Sequence, residues 1–227
     1  MVDVKREFNK RVFEIDLYFK YLKGITQENG NLVYPNGAVE RFDIDIKRIL
    51  IANSFLLLYN LSEASITRSI EEIYVAIDSS TTDFDSLKVG IKTEIIKYLK
   101  SNVNANDFAV SVNNIAVDII LKCFDNSKIL SGNLDARKIR RLATTYGFSN
   151  STQPFTVDGA TQILNTDNLL TVKSKRNDLA HGVYSFKECG KNYTYQDVEE
   201  IKIHVIEYLR QIIENIEIYI SSRTYLN

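Results

Sequence analysis

Apolar residues at Val4, Phe8, Val12, Ile15, Phe19 and Leu22 keep helical spacing and predict an amphipathic first helix, with Gly24 as its stop. Between Gly24 and Glu40, Asn29-Gly30 and Pro35-Asn36-Gly37 flank the short run Leu32-Val33-Tyr34, the pattern of an irregular loop or a small hairpin. From Phe42 to Ile77 there is neither Pro nor Gly. Apolar residues cover nearly the whole circumference between Ile46 and Leu61, which marks a buried helix. After the break at 79–82, helical patterns recur at Phe84 to Leu99 and Phe108 to Phe124, with Asp83 and Asp107 placed to cap them. Leu134 to Tyr146 is a short helical pattern closed by Gly147, and polar Ser149 to Gly159, with Pro154, reads as a loop. A helix is expected from Asp167 through Leu179 with Gly182 as its terminator. The last helix runs from Thr194 to about Ile220, and Asp197 three residues after Thr194 makes a near capping box.

Composition sharpens this picture. Two Pro and nine Gly in 227 residues are too few for an all-β chain, which needs a turn every 8 to 12 residues or so, and an all-α fold follows. With 44% hydrophobic and 25% charged residues the chain is globular rather than disordered. Its formal net charge of -1 offers no general attraction to nucleic acid, so any such binding must rest on a local patch. Segment 122–141, with six Lys or Arg against two Asp, is the clearest local excess. Cys123, Cys189, His181 and His204 are too few and too scattered for a four-ligand zinc site, and no metal or other cofactor is expected. Lone thiols and the charged N-terminus MVDVKREFNKR, unlike a signal peptide, point to the cytoplasm. No membrane association is expected, since the longest apolar run, Ile49 to Tyr59, is interrupted by Asn53 and Ser54 and falls short of the ~20 residues of a span.

The string Ser174-Lys175-Arg176-Asn177-Asp178-Leu179-Ala180-His181-Gly182 carries the candidate chemistry. An Arg and a His five positions apart at a helix end have a plain structural explanation: an Arg paired to a carboxylate, and a His favoured by the helix C-terminal dipole. At about 100° per residue, Arg176 and His181 project roughly 140° apart on an ideal helix. To share a site, either the backbone unwinds near Ala180 or a second copy of the chain completes it.

The sequence RNDLAHG, followed by VYSF and KECGKNYTYQDVEEIKIHVIEYL, resembles the end of the HEPN superfamily, whose ribonuclease members carry Arg, four to six residues, then His. ANSFLLLYNLSEASITRSIEEIY (52–74) and LSGNLDARKIRRLATTYGF (130–148) resemble the MAE-like HEPN branch. The RiboL-PSP-HEPN branch, with a similar RN-to-AHG ending, is the second choice. The resemblance implies a HEPN-type helical bundle spanning 1–227 as one domain, with an N-terminal helix and loop extension at 1–41 and a core at 42–227. It also implies a homodimer that brings two Arg/His motifs into one cleft.

Metal-independent RNA cleavage needs a group to take the 2′-OH proton, a proton donor for the leaving 5′ oxygen, and positive charge for the phosphorane. Imidazole, which titrates near neutral pH, suits His181 to acid or base work. Arg176 offers a permanently charged planar fork for two phosphate oxygens, and Asn177 can hold either partner. Lys173, Lys175 and the cluster Arg137, Lys138, Arg140 and Arg141 form either an RNA track or simply a solvated helix face. Tyr59, Asn60 and Glu63 read as a hydrogen-bonded packing cluster or as supports of the motif, and Tyr184 with Phe186 as packing or as base-stacking rings. His204 is expected at a surface or interface, and Cys189 has no assigned role.

The leading expectation is therefore an endoribonuclease leaving 2′,3′-cyclic phosphate and 5′-OH ends, acting as a toxin or phage-defence effector with a cognate antitoxin or defence partner. The rivals are a catalytically silent HEPN module that binds RNA, nucleotide or a partner protein, and a purely structural helical dimer.

Overall fold

The computed structural model describes residues 1–28, 30–80, 82–102, 123–124 and 133–227. Most of the helix expected at 108–124, and Asp107, lie outside these. The described helices are α1 (Val2–Thr26), α2 (Ile44–Ser79), α3 (Val89–Asn102), α4 (Ala136–Tyr146), α5 (Asp167–Ala180), α6 (Phe186–Gly190) and α7 (Tyr195–Ser221). Two antiparallel hairpins, β1 (Asn31–Val33) with β2 (Val39–Arg41) and β3 (Phe155–Val157) with β4 (Ala160–Gln162), are the only sheets among the described residues. The fold is all-α in class, as the scarcity of breakers dictates.

The chain forms two compact units. The first comprises 1–4, 63–153 and 209–227; the second comprises 5–62 and 154–208. The long helices α2 and α7 contribute to both.

In the first unit, Ile66, Ile70, Ile73 and Ile77 of α2 repeat at helical spacing and are wholly buried, as are Ile91 and Ile95 of α3 and Ile139 of α4. Buried Tyr74 and Tyr146 meet hydroxyl to hydroxyl at 3.2 Å, which satisfies both polar tips, and burial pushes the Tyr74 phenol up to about 12. Helix α4 is capped at its start by Asp135, whose side chain accepts from the Lys138 N–H at 2.9 Å, and closed at Gly147 as its pattern predicts.

Asp83 does not cap α3. A 3₁₀ turn at Phe84–Ser86 intervenes and the Asp83 side chain makes no capping bond. The reason is tertiary: Leu87 forms a bridge with Leu226, and the Lys88 N–H donates to the Tyr225 carbonyl at 3.0 Å, so these backbone groups are taken by the C-terminal segment before the helix begins.

In the second unit, α1 buries Phe8, Ile15, Phe19 and Leu22 as its period predicts. It runs past Gly24 to Thr26 and leaves a second apolar stripe, Phe13, Leu17 and Tyr21, exposed. The first half of α2 buries Ala52, Phe55, Leu58 and Tyr59, but its apolar circumference is not wholly covered: Ile44 and Ile46 are exposed. Buried Ser54 and Ser62 return their hydroxyls to the Ile51 and Leu58 carbonyls at 2.5 and 2.8 Å, which removes the cost of a polar group in this core.

The stretch expected as a loop over Ser149 to Gly159 instead leads into the β3–β4 hairpin, turned by Asp158-Gly159, a pair suited to the two-residue primed turn. Helix α7 starts with a reciprocal box in which the Thr194 N–H donates to Asp197 Oδ2 at 2.7 Å and the Asp197 N–H to Thr194 Oγ1 at 3.2 Å. Aspartate does here what the longer carboxylates usually do, and these bonds from Thr194 hold its carboxyl below the ordinary range.

Candidate functional site

Helix α5 presents the candidate motif. Leu169, Val172 and Leu179 anchor it in the second unit, while Lys173, Lys175, Arg176 and Asn177 are half-buried and His181 is exposed. Its entry is fixed by Asn165, whose Oδ1 accepts from the Asp167 N–H at 3.1 Å and whose own N–H donates to His204 Nδ1 at 3.3 Å. His204 is buried, edge-on to Phe155 at 5.4 Å, and not at the surface as expected. A ring nitrogen that accepts a backbone proton is a structural bond, and it sets where α5 begins.

The exit is equally defined. The His181 N–H donates to the Asn177 carbonyl at 2.9 Å, the ordinary i to i−4 helical bond. Gly182 follows at φ +67°, with its N–H directed to the Leu179 carbonyl at 3.3 Å and the Val183 N–H to the Asp178 carbonyl at 2.8 Å. These two bonds are a Schellman termination, and a side chain at Gly182 would be strained there. The backbone therefore remains helical through Ala180. Of the two ways for Arg176 and His181 to share a site, unwinding near Ala180 does not occur in this chain.

Arg176 is held on two sides. Its Cζ sits 4.6 Å from the centre of the Tyr59 ring, and Nη1 donates to Asn177 Oδ1 at 3.0 Å. A cation stacked on an aromatic face at a half-buried site is worth about 1 to 2 kcal/mol, enough to favour one orientation of a long side chain. Among the described residues Arg176 forms no ion pair with a carboxylate, the partner that the plain structural explanation of the motif calls for. Of the α2 residues read as possible supports of the motif, Tyr59 is the one that meets Arg176, and the form of the contact, a stacked cation, is set by the packing of α2 on α5.

The neighbouring residues fall into different settings. Lys175 Nζ pairs with Asp178 Oδ2 at 3.5 Å and lies over the Tyr184 ring, 5.6 Å from its centre. The i to i+3 spacing of Lys175 and Asp178 is legible in sequence. Ser185 opens α6 with a complete capping box: its hydroxyl accepts from the Glu188 N–H, and Glu188 Oε2 accepts from the Ser185 N–H at 2.8 Å. Gly190, at the end of α6, faces the Arg48 carbonyl so closely that a Cβ there would lie 1.9 Å from that oxygen. Lys187 pairs with Asp45 of α2 at 2.5 Å. Cys189 is buried and its thiol is pushed up by desolvation, the opposite of an activated nucleophile.

Asn60 is exposed on α2 and Phe186 half-buried. Glu63 is half-buried in the first unit. That unit also carries Arg137, Arg140 and Arg141, exposed on α4 opposite its buried Ile139 and Leu142, with Lys138 half-buried. No group of three or more His, Cys, Asp or Glu positioned to hold a metal ion occurs among the described residues.

A mainly helical chain with Arg-x4-His at a helix terminus has the features of a HEPN-type module. A family model for MAE-like HEPN proteins matches residues 3–225, and the chain belongs to that family. HEPN modules are generally associated with RNA and its cleavage. No curated protein and no solved structure gives a significant match to the chain.

Proposed function

We propose that the protein is a metal-independent endoribonuclease in which Arg176 and His181 act on the scissile phosphate and Asn177 steadies Arg176. The observation that carries this reading is that one helix, α5, presents both a guanidinium stacked on Tyr59 and tied to Asn177 and, at its end, an exposed imidazole. His181 takes the proton of the 2′-OH as that oxygen attacks phosphorus. The bond to the 5′ oxygen then breaks, and the imidazolium returns the proton to the leaving oxygen. Imidazole ends neutral, and the products are a 2′,3′-cyclic phosphate and a 5′-OH. Arg176 supplies two aligned donors to the phosphorane as its charge develops.

Because α5 is unbroken from Arg176 to Ala180, the positions of Arg176 and His181 in one copy project roughly 140° apart, as on an ideal helix. The reading therefore includes a homodimer in which Arg176 of one copy works with His181 of the other. Two-fold dimers are the commonest closed assembly, and light scattering should give a mass near twice the 26.0 kDa of the chain. A strict monomer whose cleavage is insensitive to dilution would remove the composite site. The family resemblance further suggests a cytoplasmic toxin or phage-defence effector, restrained by a cognate antitoxin or defence partner.

Tyr59 tests the arrangement from behind. Tyr59→Phe keeps the ring under Arg176 and should cleave RNA nearly as well as the parent. Tyr59→Leu removes it and should lose about 10-fold in activity per folded molecule, on the scale of one stacked cation. Thermal melts on both variants separate this loss from the cavity that leucine leaves.

A further inference from the structure

Between the end of α5 and the start of α6 the chain is pinned twice within a few residues. The Schellman bonds of Gly182 and Val183 fix one side, and the Ser185–Glu188 capping box fixes the other. Tyr184 is held between them. Its residue surface is 47% exposed, Lys175 Nζ lies 5.6 Å from the ring centre, and that ammonium is itself tied to Asp178. A large aromatic ring kept in a defined position and left open to solvent gains nothing for the core. Its Cα lies no more than about 11 Å from that of His181, three chain steps of 3.8 Å, within reach of one nucleotide of a strand whose phosphate meets the imidazole.

We propose that Tyr184, backed by Lys175, is a stacking subsite for the nucleobase next to the scissile phosphate. This rests on the endoribonuclease reading of the same motif. A π-face accepts any base, so the subsite fixes the strand without selecting its sequence, and the Lys175–Asp178 pair holds one face of the ring in place.

The chain contains no Trp, so Tyr184→Trp introduces a single indole reporter. Placed in a His181→Ala background, it can be titrated with a short single-stranded RNA oligomer carrying a terminal label, and with the same oligomer made abasic. Indole emission should be quenched by the RNA and not by the abasic strand, while label anisotropy reports binding independently. With His181 intact, Tyr184→Leu should raise KM roughly 10- to 100-fold with little change in kcat, and Tyr184→Phe should match the parent. RNA binding by anisotropy with unchanged indole emission would overturn the subsite and leave the enzyme reading standing. Base-dependent quenching by a protein whose parent cleaves no RNA would support the subsite and remove the enzyme reading. If Tyr184→Leu changes the mass by light scattering and leaves KM unaltered, the ring is an assembly contact and the subsite fails.

Discussion

His181→Ala is expected to lower RNA cleavage by about 10²- to 10⁴-fold, the usual cost of removing a general acid or base, with the melting temperature and mass of the protein unchanged. The side chain is exposed at the end of α5, so truncating it opens no cavity, and the helix ends through the backbone of 179–183 regardless of the imidazole. The other histidine cannot replace it, because His204 is buried and its Nδ1 is occupied by the Asn165 N–H. Arg176→Ala should cost a similar order, since a preorganised cation at a developing phosphorane is removed. Arg176→Lys keeps the charge but loses both the two-pronged donor set and the flat face that rests on Tyr59, so it should rescue poorly. If Arg176 served packing alone, lysine would be tolerated in cleavage and the alanine variant would show its loss in the melt instead.

Mixing the two inactive proteins gives the second large effect. If the proposed dimer forms, each working pair combines Arg176 from one copy with His181 from the other. After Arg176→Ala and His181→Ala proteins exchange subunits in equal amounts, half the dimers are mixed, and each keeps one intact pair of two. About a quarter of the parent activity should return, from two preparations that have almost none. Mass analysis with one protein tagged verifies that exchange has occurred. An inactive mixture in which mixed dimers are present would mean that Arg176 and His181 act within one copy.

The contrast between what sequence makes legible and what it hides follows the range of the interactions involved. The ends of α4 and α5 are visible because local chemistry sets them: Gly147 closes one and Gly182 the other. The Arg/His motif is local too, and can be read directly. The start of α3 is not, because the C-terminal residues Tyr225 and Leu226 claim the backbone of Leu87 and Lys88 where periodicity alone would continue a helix. Gly24 fails as a stop for a simpler reason. An isolated glycine costs about 1 kcal/mol in a helix, too little to end one whose neighbours on the buried face are Phe19 and Leu22.

The β3–β4 hairpin is not read from sequence, because Pro154 and the polar residues around it favour a loop over the whole stretch. His204 is buried although sequence places it at a surface or interface, because a lone histidine on a helix gives no indication of which face it occupies; its burial and its bond to Asn165 depend on packing against the β3–β4 hairpin and the start of α5. Tyr59 stands out in sequence as a possible support of the motif, but that it works by stacking on Arg176 depends on how two helices pack. What sequence offered was the chemistry of the motif. What the structure adds is its local geometry: an unbroken helix, a Schellman end, and a guanidinium resting on an aromatic ring.

The cleavage chemistry is decided by the ends left on a labelled RNA after incubation with the pure protein in excess EDTA. Cleavage should persist in chelator, leave 2′,3′-cyclic phosphate and 5′-OH ends, and disappear with His181→Ala. Cleavage that requires added Mg²⁺ or Mn²⁺ and leaves 5′-phosphates would contradict the proposed mechanism, as would RNA that is bound and returned uncut.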